Sequence, residues 1–222
     1  MKISEEFELA IKNYRFLLNE GFPQKAILKL VGDRYKLSSI ERTILYRGIC
    51  TEINARHRKS KIAYTKIIKN NTIHIDGFNV LITIGSYLNG NPVFIGNDNF
   101  LRDASEVHGK VFKTGLINRA ISLTFDYLKK QKASGLYLYL DQPVSNSGKL
   151  SEKLNHLISE YKFSGLSKTV HSPDYALKEI KQGVIATSDS NIIDKCNVPV
   201  FDLARKVISF HFKPKFFNLS KV

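Results

Sequence analysis

The sequence is poor in cysteine and contains no long hydrophobic run. Its 222 residues include only two cysteines, Cys50 and Cys196, which form no CxxC pair. Neither a metal–thiolate site nor a disulfide framework is indicated, so a reducing, cytoplasmic environment is expected. No apolar run approaches the roughly 20 residues that span a bilayer, and we expect no membrane partner. Residues 1–6 lack an uninterrupted apolar stretch, which argues against a signal peptide.

The sequence also lacks the short motifs of several enzyme classes. Its six histidines form no HExxH and no closely spaced pair, which argues against a zinc site. It has neither a GxSxG nucleophile elbow nor a GxGxxG dinucleotide-binding motif. Residues 145–149 offer small donors and a lysine for a phosphate oxygen, but they do not complete a P-loop. Aspartyl-phosphate enzymes usually carry a second acid two positions after the first, where Phe78 follows Asp76 here.

Acidic residues are scarce relative to basic ones. The chain has 34 Lys and Arg against 20 Asp and Glu, a net charge of +14, which favours nucleic acid as a partner. A general lysine bias is the alternative. Residues 1–70 hold 15 of the basic and 7 of the acidic residues, and a basic cluster stands at 56–61. We expect the cluster to contact a nucleic-acid backbone through Arg56, Arg58, Lys59 and Lys61. A solvated helix face with a basic linker would give the same pattern.

The hydrophobic pattern changes near residue 70. Before that point, apolar residues recur at helical spacing in three segments, and Gly32 is expected to end the second. After it, short apolar strands alternate with helices, which predicts a doubly wound α/β fold with a parallel sheet. Residues 85–99 are rich in Asn and Gly and are expected to form a loop, either without regular structure or with a small hairpin at Pro92–Ile95. We therefore predict a basic helical region, residues 1–69, and an α/β domain, residues 70–222.

Aspartates follow three of the predicted strands, at residues 72–75, 136–140 and 184–187. These acids are Asp76, Asp141 and Asp189. The C-terminal ends of parallel strands meet at one edge of a sheet, where ligands bind. Carboxylates gathered there would repel one another unless a cation lay between them, and hard oxygen ligands suit Mg²⁺ or Mn²⁺. The alternative for Asp76 is a cap of the helix that follows it, and for the Asp189 segment a helix capped by Ser190.

Further polar residues are candidates for the same site. The Asn79 amide can hydrogen-bond a carboxylate or a phosphate, and Asp174 opens a helix that leads to the third strand. Asp103 lies in a dense polar cluster at residues 101–109, and we rank it with Asp141 as a second-choice metal ligand. Donors and cations expected to contact phosphate are Arg102, His108, Ser147, Lys149 and Ser188.

The order of these motifs resembles that of the PIN-like and NYN ribonuclease superfamily. The resemblance is carried by residues 75–79, a strand ending in Asp141, residues 173–177 and residues 186–190. More narrowly, nearly the whole chain is similar to an uncharacterised, largely archaeal PIN-like family of unknown function. The resemblance implies a Rossmann-like three-layer PIN-like domain with a parallel central sheet, which cuts RNA with Mg²⁺ or Mn²⁺.

The resemblance also implies roles for individual residues. Asp76 matches the first catalytic acid and Asn79 the polar residue that follows it, while Asp174 and Asp189 match two later acids. Many NYN members have a further acid where this chain has Asn191. That departure leaves the implied metal site one charge poorer unless Asp103, Asp141 or Asp194 compensates.

Two main hypotheses follow. The first is a metal-dependent endoribonuclease in which Asp76, Asp174 and Asp189 hold one or two divalent ions and the basic region binds RNA. The second is a non-catalytic RNA-binding protein on a degenerate PIN-like scaffold. A phosphotransfer or nucleotide-hydrolysing enzyme is a third, weaker alternative. The sequence leaves open the choice between RNA and DNA, and between a monomer and a homodimer.

Overall fold

The N-terminal part contains four helices where the apolar spacing predicts three. A computed structural model describes residues 3–69, 71–104 and 115–222. The helices are α1 (Glu5–Asn19), α2 (Gln24–Arg34), α3 (Ser39–Gly48) and α4 (Glu52–Ser60). The prediction that Gly32 ends the second helix was wrong, because α2 continues two residues further. The unpredicted helix α4 carries most of the basic cluster, whose polar sequence has no apolar stripe to mark it.

The second part alternates strands and helices. Its elements are β1 (Thr72–Asp76), α5 (Gly77–Leu88), β2 (Val93–Ile95), β3 (Leu101–Asp103), α6 (Leu116–Lys130), β4 (Gly135–Asp141), α7 (Ser147–Glu160), β5 (Ser164–Val170), α8 (Pro173–Lys178), β6 (Val184–Ala186), α9 (Ser190–Lys195), β7 (Val200–Phe201), α10 (Leu203–Phe212) and β8 (Phe217–Asn218). The helix α10 was not predicted.

A five-stranded parallel sheet lies at the centre of this part, in the order β5-β4-β1-β6-β7. One face packs Ile73, Ile75 and Leu138 against α5, α6, α7 and α10. The other packs Tyr139 and Ile185 against residues of α8 and α9. Successive side chains of each strand project to opposite faces of the sheet, and helices cover both faces. This confirms the predicted α/β fold, with a parallel sheet between two helical layers.

The N-terminal helices share a core with a small second sheet. In this sheet β2 pairs antiparallel with β3 and parallel with β8. Phe7, Ile11 and Tyr14 of α1 are buried in one cluster with Phe94 of β2 and Leu219 near the C-terminus. The predicted loop at 85–99 is wrong at its start, where α5 runs to Leu88. The strand β2 lies where a small hairpin was expected, but its antiparallel partner is β3 at Leu101–Asp103. The division of the chain into two domains at residue 70 stays a prediction. Side chains from both sides of residue 70 pack together in this core.

A buried ion network also joins the two parts. The Arg102 guanidinium donates to both carboxylate oxygens of Asp98 at 2.7 Å, and Arg58 of α4 donates to Asp98 at 3.1 Å. Arg58 also donates twice to Asp194 of α9, each time at 2.7 Å. Burial alone would raise the pKa of Asp98, but Arg102 and Arg58 together lower it below its usual value. The network therefore holds α4 against the sheet through charges that compensate one another.

The chain that leaves α4 is hydrogen-bonded to the sheet. The Val200 N–H donates to the Lys61 carbonyl at 2.8 Å, and the Ala63 N–H donates to the Val200 carbonyl at 2.7 Å. The Lys61 ammonium donates to the carbonyls of Ile193 and Cys196 at 2.6 and 2.8 Å. The segment thus lies beside β7 like a further parallel partner. Of the helices in the described ranges, none is both long enough and apolar enough to cross a membrane.

The network predicts a large stability difference between two aspartate substitutions. Asp98→Asn should lower the free energy of unfolding by about 3–5 kcal/mol, because it leaves two buried guanidinium groups with too little negative charge. Asp33→Asn is the matched control: it breaks the largely exposed Asp33–Arg42 pair and should cost less than about 1 kcal/mol. Urea denaturation monitored by circular dichroism measures both. Equal small losses would contradict a stabilising role for the network.

Candidate functional site

The aspartates predicted to gather at one sheet edge follow three neighbouring strands. Asp76 ends β1 and lies opposite Tyr139 of β4, so Asp141 ends β4 two residues further along. On the other side Ile75 lies opposite Ala186 of β6, which brings Thr187 next to Asp76. Asp189 follows two residues later. The parallel register alone therefore places all three acids at the same end of the sheet.

Asp76 is the most buried of these acids, with 6% of its surface exposed. The Thr187 hydroxyl donates to its Oδ2 at 2.9 Å. Burial raises the pKa of Asp76 to about 7, and the charges of Asp189 and Asp141 add to the increase, which the Thr187 hydrogen bond only partly offsets. Burial and the charge of Asp174 likewise raise the pKa of Asp141. Asp76 is thus electrostatically linked to Asp189 and Asp141, and Asp141 to Asp174.

Asp189 and Asp174 are joined through Asn191. One Asp189 oxygen accepts hydrogen bonds from the backbone N–H groups of Asn191 at 2.7 Å and Ile192 at 3.4 Å, so it caps α9. The Asn191 side-chain amide donates to Asp174 Oδ2 at 3.0 Å. The cap of α8 is Ser172 rather than Asp174. At position 191, where the resemblance implies an acid, this chain therefore has the amide of Asn191. This amide fixes the position of the Asp174 carboxylate.

Asn79 holds the loop between β6 and α9 in place. Its Oδ1 accepts hydrogen bonds from the Ser188 backbone N–H at 2.9 Å and from the Ser188 hydroxyl at 3.1 Å. Its Nδ2 makes no hydrogen bond to any residue in the described ranges. Asn79 and Ser188 were predicted to position carboxylates or phosphate, and the structure brings both to the acidic edge, where they hydrogen-bond each other.

The donors at this edge are hard oxygens, which suit Mg²⁺ and Mn²⁺. Over residues 3–69, 71–104 and 115–222, however, no group of three or more His, Cys, Asp or Glu side chains is arranged to hold an ion directly. Mg²⁺ often binds through one or two carboxylates and keeps several water ligands. The edge fits an ion of that kind, held by Asp76 with Asp189 or Asp141, better than a fully enclosed ion.

A cavity of about 380 Å³ adjoins the acidic edge and is bounded by both parts of the chain. Asn79, Ser188 and Asp189 line it on the sheet side, whereas Tyr46 and Arg47 of α3 line it on the helical side. A neighbouring cavity of about 690 Å³ is lined by Asp174 and by the cations Lys178 and Lys195. Asn191 lines both cavities, so the Asn191–Asp174 hydrogen bond lies between them.

The contribution of α3 to this site was missed by sequence reasoning. Tyr46 and Arg47 belong to the amphipathic pattern of a helix far from the acids in sequence. Nothing in their spacing links them to the sheet edge. Only the packing of the N-terminal helices against β2 and β3 brings them there.

The basic cluster does not form one exposed surface, which corrects the prediction for two of its members. Arg56 and Lys59 are exposed, as expected for contacts to a polyanion. Arg58 is 7% exposed and binds Asp98, Asp194 and Ser190. Lys61 donates to backbone carbonyls instead of projecting into solvent. Arg58 and Lys61 hold the fold together and have no donors directed to an RNA backbone.

Three other predicted site residues are also occupied by internal contacts. Arg102 is bound to Asp98, which corrects its prediction as a phosphate contact. Asp103 is buried and accepts a hydrogen bond from Arg47 at 3.3 Å, so it belongs to an ion pair and not to the acidic edge. The buried Ser147 hydroxyl donates to the Gln142 carbonyl at 3.1 Å.

Three further residues were considered for the site in the sequence analysis. Lys149 is exposed. Asp194, the compensating acid suggested above, is bound by Arg58 and does not enlarge the acidic edge. His108 lies outside the described residues.

Comparisons with known proteins relate both parts of the chain to domains without an assigned activity. A family described as Domain of unknown function (DUF5616) matches residues 65–206, and one described as Protein of unknown function (DUF434) matches residues 6–61. The chain is 35% identical over 204 residues to Uncharacterized protein MJ0935 of Methanocaldococcus jannaschii, which covers 91% of this chain and 97% of the relative. No solved structure matches the chain.

The raised pKa of Asp76 predicts how its substitution changes stability with pH. A buried carboxyl whose folded pKa exceeds its unfolded value costs stability above the folded pKa, and this cost disappears as the pH falls below the unfolded value. Asp76→Asn should therefore raise the free energy of unfolding by about 2–4 kcal/mol at pH 8. The gain should shrink between pH 7 and pH 4. Urea denaturation across this range measures it.

The exposed carboxylate of Glu152 provides the matched control, since Glu152→Gln removes a charge from the surface of α7. This variant should show no comparable gain at pH 8. A stability difference between wild type and Asp76→Asn that does not change from pH 4 to pH 8 would contradict the burial of an ionisable Asp76.

Proposed function

We propose a function for this chain, which belongs to the family described as Domain of unknown function (DUF5616), from the acidic edge of its parallel sheet. The protein is a metal-dependent nuclease, an endoribonuclease that hydrolyses RNA phosphodiesters. One observation carries the proposal. Asp76, Asp141 and Asp189 lie at the same end of three adjacent strands, and the charges of Asp141 and Asp189 raise the pKa of Asp76, in a chain whose net charge is +14.

The acids explain why a divalent cation belongs to the proposal. Burying Asp76 beside two further carboxylates is unfavourable unless positive charge compensates it. Asp76 with Asp189 or Asp141 would bind the ion, and Asp174 would contact its water ligands. When bound, Mg²⁺ or Mn²⁺ would lower the pKa of a water for in-line attack and stabilise the charge on the leaving oxygen.

Second contacts would keep these acids in position during the reaction. Thr187 fixes one oxygen of Asp76, and Asn191 fixes one oxygen of Asp174. Asn79 holds the loop that carries Asp189. Such contacts restrict carboxylate rotation and therefore favour a defined ligand geometry.

The charge distribution supports a polyanionic substrate. Lys178 and Lys195 lie in the cavity that contains Asp174, and Arg56 and Lys59 are exposed on α4. These cations would bind the phosphates on either side of the cleaved bond, with affinity that falls as salt rises. RNA rather than DNA, and a cytoplasmic location, are part of the proposal because they follow from the ribonuclease resemblance and the free thiols of Cys50 and Cys196.

A second candidate is an RNA-binding protein without catalysis. It is favoured by Asn191, which supplies an amide where the related ribonucleases often have a further acid. It is also favoured because, among the described side chains, no three His, Cys, Asp or Glu residues are arranged to hold a metal ion. In this case the cations would retain their role and the acids would be remnants of a metal site.

Loss of the central acid should abolish cleavage but not RNA binding. Wild-type protein should cleave single-stranded RNA with Mn²⁺ present, and Asp76→Asn should lower the rate by about 100-fold or more, because metal charge stabilisation contributes several kcal/mol. Binding of RNA should be unchanged or tighter, since a negative charge has been removed. Cleavage is followed on a labelled oligonucleotide, and binding by fluorescence anisotropy.

Glu152→Gln is again the control, and it should cleave RNA like the wild type. Addition of Mn²⁺ should raise the melting temperature of the wild type but not of Asp76→Asn. Equal cleavage by wild type and Asp76→Asn would contradict the proposal. Salt-sensitive RNA binding with neither cleavage nor a Mn²⁺-induced shift would favour the second candidate.

A further inference from the structure

The 380 Å³ cavity between the N-terminal helices and the acidic edge has the features of a binding pocket. Its volume lies at the small end of the range for small-molecule sites, about 300–1,000 Å³, so it suits one nucleotide and not a run of several. Its walls come from α1, α3 and α4 on one side and from the loop before α9 on the other. A ligand in it would therefore touch both parts of the chain at once.

Each wall offers a different chemistry. Leu18 and Tyr46 supply the apolar surface on the helical side, where Tyr46 is 43% exposed and Ile49 only 2%. An exposed aromatic ring beside aliphatic side chains is a surface on which a base can stack. Across from it, Asn79 carries a side-chain N–H₂ group that makes no hydrogen bond to the described residues. Such a group can donate to a base or a sugar.

Arg47 supplies the positive charge. Its Nη1 donates to Asp103 at 3.3 Å, and its side chain is 29% exposed. The other guanidinium nitrogens make no hydrogen bond to residues in the described parts of the chain, so they can bind a phosphate in the fork geometry that arginine favours. Arg58, which also lines the cavity, uses all three of its nitrogens on Asp98, Asp194 and Ser190.

We infer that this cavity binds one unpaired nucleotide, with its base against Tyr46 and its phosphate on Arg47. The inference deepens the proposed function and rests on it for the assignment of the bound strand as RNA. It makes the substrate single-stranded and places one flipped-out or terminal nucleotide beside Asp189. Double-stranded RNA would not supply such a nucleotide, since its bases are stacked and paired.

The pocket can be tested separately from metal chemistry by measuring nucleotide binding to the full-length Asp76→Asn protein without divalent ions. Adenosine 5′-monophosphate should bind at least about tenfold more tightly than inorganic phosphate, because the base adds stacking. Tyr46→Ala should weaken binding on the order of tenfold. Arg47→Lys, which keeps the ion pair with Asp103 within reach, should also weaken it, because a lysine cannot bind phosphate through a fork. Calorimetry measures all of these.

Two substitutions outside the cavity are matched controls. Tyr64→Ala removes another exposed tyrosine, and Arg119→Lys makes the same change at an exposed position of α6. Neither should alter nucleotide binding. Phosphate and nucleotide binding with equal affinity, or an affinity unaffected by Tyr46→Ala, would overturn the inference.

The result also separates this inference from the proposed nuclease activity. Nucleotide binding that depends on Tyr46, together with a wild-type protein that cleaves no RNA, would retain the pocket and reject the nuclease. Metal-dependent cleavage by the wild type, with the same KM in Tyr46→Ala and no nucleotide binding, would reject the pocket and retain the nuclease. Comparing AMP with deoxy-AMP in the same assay distinguishes an RNA substrate from a DNA substrate.

Discussion

The buried charges around Asp98 determine how the two parts of this chain meet. Asp98 lies between Arg102, on the small sheet, and Arg58, on α4, and Arg58 continues to Asp194 on α9. A buried ion pair contributes little net stability compared with well-packed apolar residues, but its geometry is strict because each unpaired charge is costly. The network thus sets the position of the helical wall relative to the acidic edge. The cavity between them exists because that position is fixed.

The electrostatic environment of the acidic edge is opposite to that of Asp98. Around Asp98, positive and negative groups compensate one another, and the pKa of Asp98 is lowered. At Asp76, burial and neighbouring acids raise the pKa to about 7. A protein that retains an unfavourable carboxylate at the end of its central strand loses folding stability there, which is common where residues are placed for binding or catalysis. Two buried aspartates therefore differ: the charge of Asp98 is compensated within the fold, and that of Asp76 is not compensated by its neighbours Asp141 and Asp189.

Much of the α/β fold could be predicted from the sequence, because the strands are short apolar runs followed by acids. The ends of parallel strands lie at one edge of a sheet, so the pattern placed Asp76, Asp141 and Asp189 at a common edge. The order β4-β1-β6, which makes their strands neighbours, comes from the structure. The internal contacts of Arg58, Lys61 and Arg102 could not be predicted. Their acidic partners lie far away in sequence, in segments that have no regular pattern, and a buried arginine has the same sequence signature as an exposed one. Similarly, only the structure reveals that Asn191 binds Asp174.

The hydrogen bonds between residues 61–63 and Val200 affect how a substrate would reach the cavity. They attach the segment after α4 to the edge of the central sheet on the side of β7, while the ion network attaches α4 itself. The helical wall is therefore tethered at two places and cannot swing away as a hinged lid without breaking main-chain hydrogen bonds. If the cavity binds the proposed strand, that strand would have to enter from the open side of a preformed cleft, a route that suits a thin, flexible chain better than a rigid duplex.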